Sequence, residues 1–186
     1  MGYHKDFDIT WCQTLLKSDI DIVEIPQRPG QTSENGQSSQ QDERVSNSMF
    51  TETLYTSTAI KAQINFKRPT KEPDAITGHE YCYLLSLGTG LDGKSGRAHG
   101  GFNALIIDQM TGTCAAQTSG SWAPATATMT VDYKAPIDTP QVILCRGWPI
   151  EKTGRKTWVK AVLEDGTGRL LASGKALFID PKESKI

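Results

Sequence analysis

Charge of either sign is nearly balanced in this 186-residue chain: Lys and Arg number 20, Asp and Glu 21, and the formal net charge is -1. Such a surface offers no general attraction to nucleic acid, and any acidic ligand needs a local basic site. Histidine is scarce, and His4, His79 and His99 have no metal-ligand spacing, so neither a metal nor a redox cofactor is expected. The four cysteines, Cys12, Cys82, Cys114 and Cys145, form no Cys-x-x-Cys pair. Three of them lie in apolar segments that read as buried, which suits a reducing compartment. No apolar run reaches the length of a membrane span, and none precedes a small-residue cleavage site, so a cytoplasmic location is expected. Gly2 follows Met1, but Asp6 stands where a myristoylation motif wants Ser or Thr.

Large aliphatic residues are also missing from Gln27 to Ser48, where Val45 stands alone among Gln, Ser, Glu, Asn and Gly. Too little apolar surface is available there to offset the entropy of ordering, which predicts a mobile linker. Before it, Phe7, Trp11, Leu15 and Leu16 suggest a short amphipathic helix over 7–17 that packs on the domain. The expected division is therefore an N-terminal helix and polar linker over 1–54 and a folded domain over 55–186.

The domain reads as one buried helix followed by an antiparallel meander. Residues 59–67 alternate as a strand does, and Tyr81 to Leu87 is an apolar run ending at Gly88. A glycine-rich loop, 88–101, leads into 102–116, which is apolar nearly all round and predicts a helix buried on most sides. Period two then sets in over 125–133, with Thr126, Thr128, Thr130 and Asp132 on one face. Strands near 141–151, 156–164 and 169–179 follow, separated by turn-like segments. This is an α+β layout in which a sheet wraps a central helix.

Gly88 to Ser95 reads Gly-Thr-Gly-Leu-Asp-Gly-Lys-Ser, which matches the phosphate-loop pattern residue for residue. That loop needs a helix opening directly after it, yet Gly96, Gly100 and Gly101 interrupt the following residues. Only about a dozen residues separate Ser95 from Asp108, whereas a strand-helix-strand unit needs ~30. The nucleotide reading fails on context.

His99-Gly100-Gly101 carries more chemistry. A helix beginning there leaves first-turn amides without intrahelical partners, and the glycines let a substrate approach them. Amides and helix dipole together would favour an oxyanion developing at an attacked carbonyl. Asp108 lies mid-helix among Leu105, Ile106, Ile107 and Met110, where an unpaired carboxylate is costly. It is either a working base or nucleophile, or a surface carboxylate on a stripe with Gln109 and Thr111. Gly101 and Asp108 share a helix face but stand about 10 Å apart along the axis, too far to act on one carbonyl. If both work, the site is shared across a two-fold dimer.

The string Leu87-Gly88-x-Gly90-Leu91-x-Gly93-x-x-Gly96-x-x-His99-Gly100-Gly101, then Asp108, then Val131-Asp132-Tyr133-Lys134-x-Pro136, resembles the acyl-CoA thioesterases of the 4-hydroxybenzoyl-CoA thioesterase superfamily. The resemblance covers about residues 59–180. It implies a hotdog fold and hydrolysis of an acyl thioester, from CoA or a carrier protein, by a homodimer or dimer of dimers. By that likeness Asp108 is the carboxylate that attacks or activates water, the helix start at Gly100 and Gly101 binds the carbonyl oxygen, and His99 orients the thioester. Thr126 matches a position that holds the attacking water in some members, with Thr128 an equal candidate if the strand register slips. Lys94, Arg97, Arg155 and Lys156 are the candidates for the nucleotide end of CoA, and Gln109 stands near the substrate. Two departures stand out: Gly93 replaces an Asn found six residues before the His in some members, and Gln109 replaces a Glu common after the Asp. These leave room for a hotdog protein of a biosynthetic pathway doing isomerisation, cyclisation or dehydration, or for a non-catalytic acyl-binding subunit.

Overall fold

A computed structural model describes residues 3–26 and 47–182 of the chain. Most of the expected linker, 27–46, lies outside the described residues. Seven strands form one antiparallel sheet: β1 (Asp21–Glu24), β2 (Ile60–Pro69), β3 (His79–Leu87), β6 (Ala125–Tyr133), β7 (Gln141–Thr153), β8 (Lys156–Glu164) and β9 (Leu170–Ile179). Their order is β1-β2-β3-β7-β8-β9-β6. Two further short strands, β4 (Asp92–Lys94) and β5 (Arg97–Ala98), make a separate ribbon. The helices are α1 (Thr10–Leu16) and α2 (Gly100–Ser119). A sheet wrapped on α2 is the hotdog arrangement.

α2 is longer than the apolar run that announced it. It starts at Gly100 instead of residue 102 and ends at a left-handed Gly120. Ile106, Ile107, Met110 and Cys114 are at most 1% exposed and pack with Leu85, Ile143, Val159 and Ala176 of the sheet. Each such aliphatic side chain contributes about 1.5–3 kcal/mol by leaving water. The helix sits close because glycines lie beneath it. A Cβ at Gly174 of β9 would stand 2.5 Å from Ile107 Cγ2, and one at Gly147 of β7 would stand 2.7 Å from Met110 Cγ.

β3 explains its own continuous hydrophobicity. Its Leu85 and Leu87 face the α2 core, while Cys82 and Leu84 face a second core on the opposite side of the sheet. That second core contains Ile64 and Phe66 of β2 with Phe7 and Cys12, and Trp11, Leu15 and Leu16 pack around it. A strand buried on both faces loses the alternation that marks a half-buried one. The expected helix over 7–17 is a 3-10 turn, Lys5–Phe7, followed by α1. The sheet also draws in β1, upstream of residue 55, as the partner of β2. All four cysteines are buried and unpaired.

The N-terminal segment is tied down by Asp6, whose carboxylate accepts from Ser86 Oγ and pairs with Lys61 Nζ. Burial by itself would raise this carboxyl, but the bonds from Lys61 and Ser86 outweigh it and hold it below the ordinary carboxylate range. A depressed carboxyl contributes fully above its unfolded value, about 3.9, and the contribution is lost as pH falls through the lower folded value. Asp6→Asn is expected to cost about 1–3 kcal/mol at pH 7 and to flatten part of the acid dependence. Urea denaturation of both proteins between pH 3 and 7 checks this; equal midpoints at pH 7 would contradict it.

Candidate functional site

Between β3 and α2 the glycine loop folds into a 3-10 turn, Thr89–Leu91, and the β4-β5 ribbon. The stretch resembling a phosphate loop therefore ends in a hairpin, with no helix directly after Lys94 and Ser95. The ribbon is clipped to the chain after β6: Ala98 N–H donates to the Ile137 carbonyl at 2.9 Å, and Thr139 N–H to the Gly96 carbonyl at 3.1 Å. Asp92 completes the clip, accepting from Gly96 N–H at 2.9 Å and from the Thr139 hydroxyl. Sequence reasoning passed over Asp92. Its signal was an Asp four residues before a glycine in a loop, where a carboxylate can take up backbone donors.

His99 has a role that its position in the chain did not suggest. It is the N-cap of α2, and its Nδ1 accepts the Gly101 N–H at 2.9 Å. An accepting Nδ1 places the proton of a neutral imidazole on Nε2. The expected pair of free glycine amides is thus reduced to one. Gly101 donates to the cap, Phe102 N–H donates to the His99 carbonyl, and the Gly100 N–H meets no acceptor among the described residues. The space for the ring comes from Gly93, where a Cβ would stand 2.8 Å from His99 Cδ2. A side chain at 93 would force His99 to shift from its present position. Tyr133, at the end of β6, closes over the helix start: its hydroxyl donates to the Gly100 carbonyl at 3.2 Å, and it is 55% exposed.

Asp108 is half-buried, two turns along the helix, and its Oδ1 accepts from Thr126 Oγ1 at 2.9 Å. A bulge decides which threonine does this. The register of β6 on β9 shifts between Thr126 and Thr128, so strict alternation breaks at Ala127. Thr126 lies opposite the buried Phe178, on the side of Met129 and Val131, which face α2. Thr128 points the other way, into an outer groove with Thr130, Asp132 and Trp158. Of the two candidates, only Thr126 reaches the carboxylate.

The remaining residues fall into separate places. Gln109 turns away from Thr126 and lines a cavity on the opposite flank of α2. Lys94 and Arg97 belong to the ribbon at the helix start, where the backbone of Arg97 forms an isolated antiparallel β-bridge with that of Asp138. Arg155 and Lys156 sit at the other end of the sheet, in and after the β7-β8 turn, and Arg155 Nε donates to the Asp180 carbonyl at 2.8 Å. Within one chain the two basic pairs are not neighbours. Nor are the Gly100 amide and Asp108, which are two helical turns apart, roughly 10–12 Å.

Residues 95–172 match the family model described as thioesterase superfamily. Over 103 residues the chain is 34% identical to acyl-coenzyme A thioesterase THEM4 of Mus musculus, covering 54% of this chain and 44% of that protein. Against the Xenopus laevis THEM4 the figures are 32% identity over 114 residues, 55% and 50%. The chain thus spans about half the length of the curated relatives it matches. Among solved structures, an X-ray structure of a thioesterase-superfamily protein superposes with a TM-score of 0.50 at 26% identity, over 54% of this chain and 76% of that one. The zebra fish thioesterase superfamily member 2 shares the fold, with a TM-score of 0.52 at 15% identity over 55% and 75%.

The cap geometry is testable without any substrate. His99→Ala removes the acceptor of the Gly101 N–H and is expected to cost about 1 kcal/mol of stability. Gly93→Ala, which crowds the ring, should cost a similar amount. In both variants the Gly101 amide should exchange with solvent faster than in the native chain, while mid-helix amides keep their protection. An unchanged Gly101 exchange rate in both would remove the cap.

Proposed function

We propose that this chain hydrolyses an acyl thioester, of CoA or of a carrier protein, to a free acid and a thiol. The observation that carries the reading is the Asp108 carboxylate, partly open to solvent and held by Thr126, on the helix whose first amide, Gly100 N–H, is unspent. A thioester carbonyl placed at that amide is polarised by the N–H and by the positive end of α2. Asp108 then either takes a proton from water as it adds, or adds itself and is released by water. In both routes water supplies the oxygen of the acid and the sulfur leaves as thiol. Thr126, donating to one carboxylate oxygen, leaves the other directed at the nucleophile. The names of the THEM4 relatives support acyl-CoA as substrate, and four unpaired buried thiols are compatible with the cytoplasm.

The working unit of this proposal is a homodimer. β6 is an edge strand, and its residues from Ala125 to Thr128 are exposed. Its Tyr133 end lies at Gly100 and its Thr126 end at Asp108. A second copy pairing antiparallel along β6 would lay one end on the other, bringing the Gly100 amide to the partner subunit's Asp108 and closing the gap of two helical turns. The same operation would bring Lys94 and Arg97 toward the partner subunit's Arg155 and Lys156, a basic cluster suited to the phosphates of CoA. Whether two such dimers pair further is a separate matter of the outer sheet face.

Thiol release from a panel of acyl-CoAs tests the chemistry. Asp108→Asn should lower turnover by orders of magnitude in a protein that remains folded; undiminished turnover would remove Asp108 from the mechanism. Gly100→Pro deletes one N–H at the first helical position, where proline fits, and His99 before it already has the extended backbone that a residue preceding proline prefers, with φ -63 and ψ 138. That change should cost about 100–1,000-fold in kcat. A mixture of the Asp108→Asn and Gly100→Pro chains, unfolded and refolded together, should regain activity well above either alone. No recovery from a mixture that forms dimers would place both groups of a site in one subunit.

A further inference from the structure

On the flank of α2 away from Thr126 lies a cavity of about 270 Å³. Ile106, Gln109 and Thr113 of the helix form one wall, Tyr81 and Tyr83 of β3 another, and Phe50, from the turn before β2, the roof. Positions 106, 109 and 113 recur at helical spacing, so the cavity runs along one helix face. Gln109 directly follows Asp108, about 100° further round the axis, which sets the cavity one step from the carboxylate. The aromatic walls suit an apolar body. The polar groups show an asymmetry. Tyr83 and Thr113 share a hydroxyl hydrogen bond at 2.5 Å, Gln63 donates to Asn65 at 2.6 Å, and Asn65 donates to Glu24 at 3.1 Å. Gln109, half-buried, has no hydrogen-bond partner among the described residues. A saturated chain filling the cavity would strip water from that amide and return nothing, whereas an oxygen function on the chain would satisfy it.

We infer that this cavity holds the acyl body of the thioester and that Gln109 selects acyl groups bearing a hydroxyl or keto oxygen over saturated chains of equal length. The inference rests on the hydrolase reading for its link to turnover, but not for the binding itself. The amide can donate to either oxygen and can also accept from a hydroxyl, so both functions are admitted. A site built to pair with a substrate oxygen rejects the analogue lacking it more strongly than an apolar slot rejects a missing methylene.

Hydrolysis of hexanoyl-CoA, 6-hydroxyhexanoyl-CoA and 5-oxohexanoyl-CoA by the full chain, native and Gln109→Leu, tests this. The native protein should favour at least one oxygenated ester by about tenfold in kcat/KM. Gln109→Leu should erase that ratio, mainly through a raised KM for the oxygenated ester. A native preference for hexanoyl-CoA, or a ratio unmoved by the substitution, overturns the inference. If the native chain hydrolyses none of the three, the hydrolase reading fails separately for CoA esters of this length. The cavity is then judged by calorimetric titration with sodium 6-hydroxyhexanoate and sodium hexanoate. Tighter binding of the hydroxy acid that Gln109→Leu abolishes supports the inference, and equal or no binding of the two overturns it.

Discussion

The seating of α2 in the sheet is the constraint on which the other features rest. The helix sits close on β7 and β9 because these carry Gly147 and Gly174, where a side chain would overlap Met110 or Ile107. Once seated, its axis cannot slide without exposing Ile106, Ile107, Met110 and Cys114 to water or forcing overlaps in a close-packed core. That rigidity fixes where the helix begins, and so where the Gly100 amide points. It fixes equally where the carboxylate of Asp108 emerges. A catalytic constellation gains most from such support, since small displacements of a donor or base are expensive.

The two edges of the sheet are treated differently. At one, β1 covers β2 and the N-terminal segment covers the outer face behind it, through Phe7, Cys12 and the Asp6 tie to Ser86 and Lys61. At the other, β6 keeps an exposed edge and an exposed Tyr133. An open edge is a hazard for a protein that works alone and an asset for one that pairs. The open edge is the one whose Thr126 holds Asp108 of α2.

Accounting for the amides at the start of α2 changes the picture of the site. Two adjacent glycines invite the view that both N–H groups face the substrate. His99 takes one of them for the cap, which leaves the Gly100 N–H as the first-turn glycine donor without an acceptor among the described residues. The cap in turn depends on Gly93, which leaves room for the imidazole. Asp92 next to it locks the ribbon to Thr139. The glycine loop is therefore a scaffold for a single donor, held from both sides by hydrogen bonds, and its likeness to a phosphate loop reflects a shared need for tight turns.

Much of the architecture was legible in the chain because it depends on local patterns. Apolar density over 102–116 marked the central helix, period two over 125–133 marked β6, and the Lys152 to Arg155 and Asp165 to Gly168 turns marked the closing hairpins. β1 was not legible: Asp21–Glu24 is only four residues long, its Ile22 and Val23 stay exposed, and its strand pairing is made along the edge of β2. Asp108 was visible as a carboxylate among aliphatic neighbours, and Thr126 as one of several threonines. The choice of Thr126 over Thr128 lay in the bulge at Ala127, since one extra residue reverses which side chains face the helix and only the pairing with β9 reveals it. The sequence by itself determined the central helix that carries the carboxylate, the glycines that let it start and the strands of the closing meander. Tertiary structure alone decided which amide is free, which threonine holds Asp108 and what Gln109 faces, because each depends on contacts between residues distant in the chain.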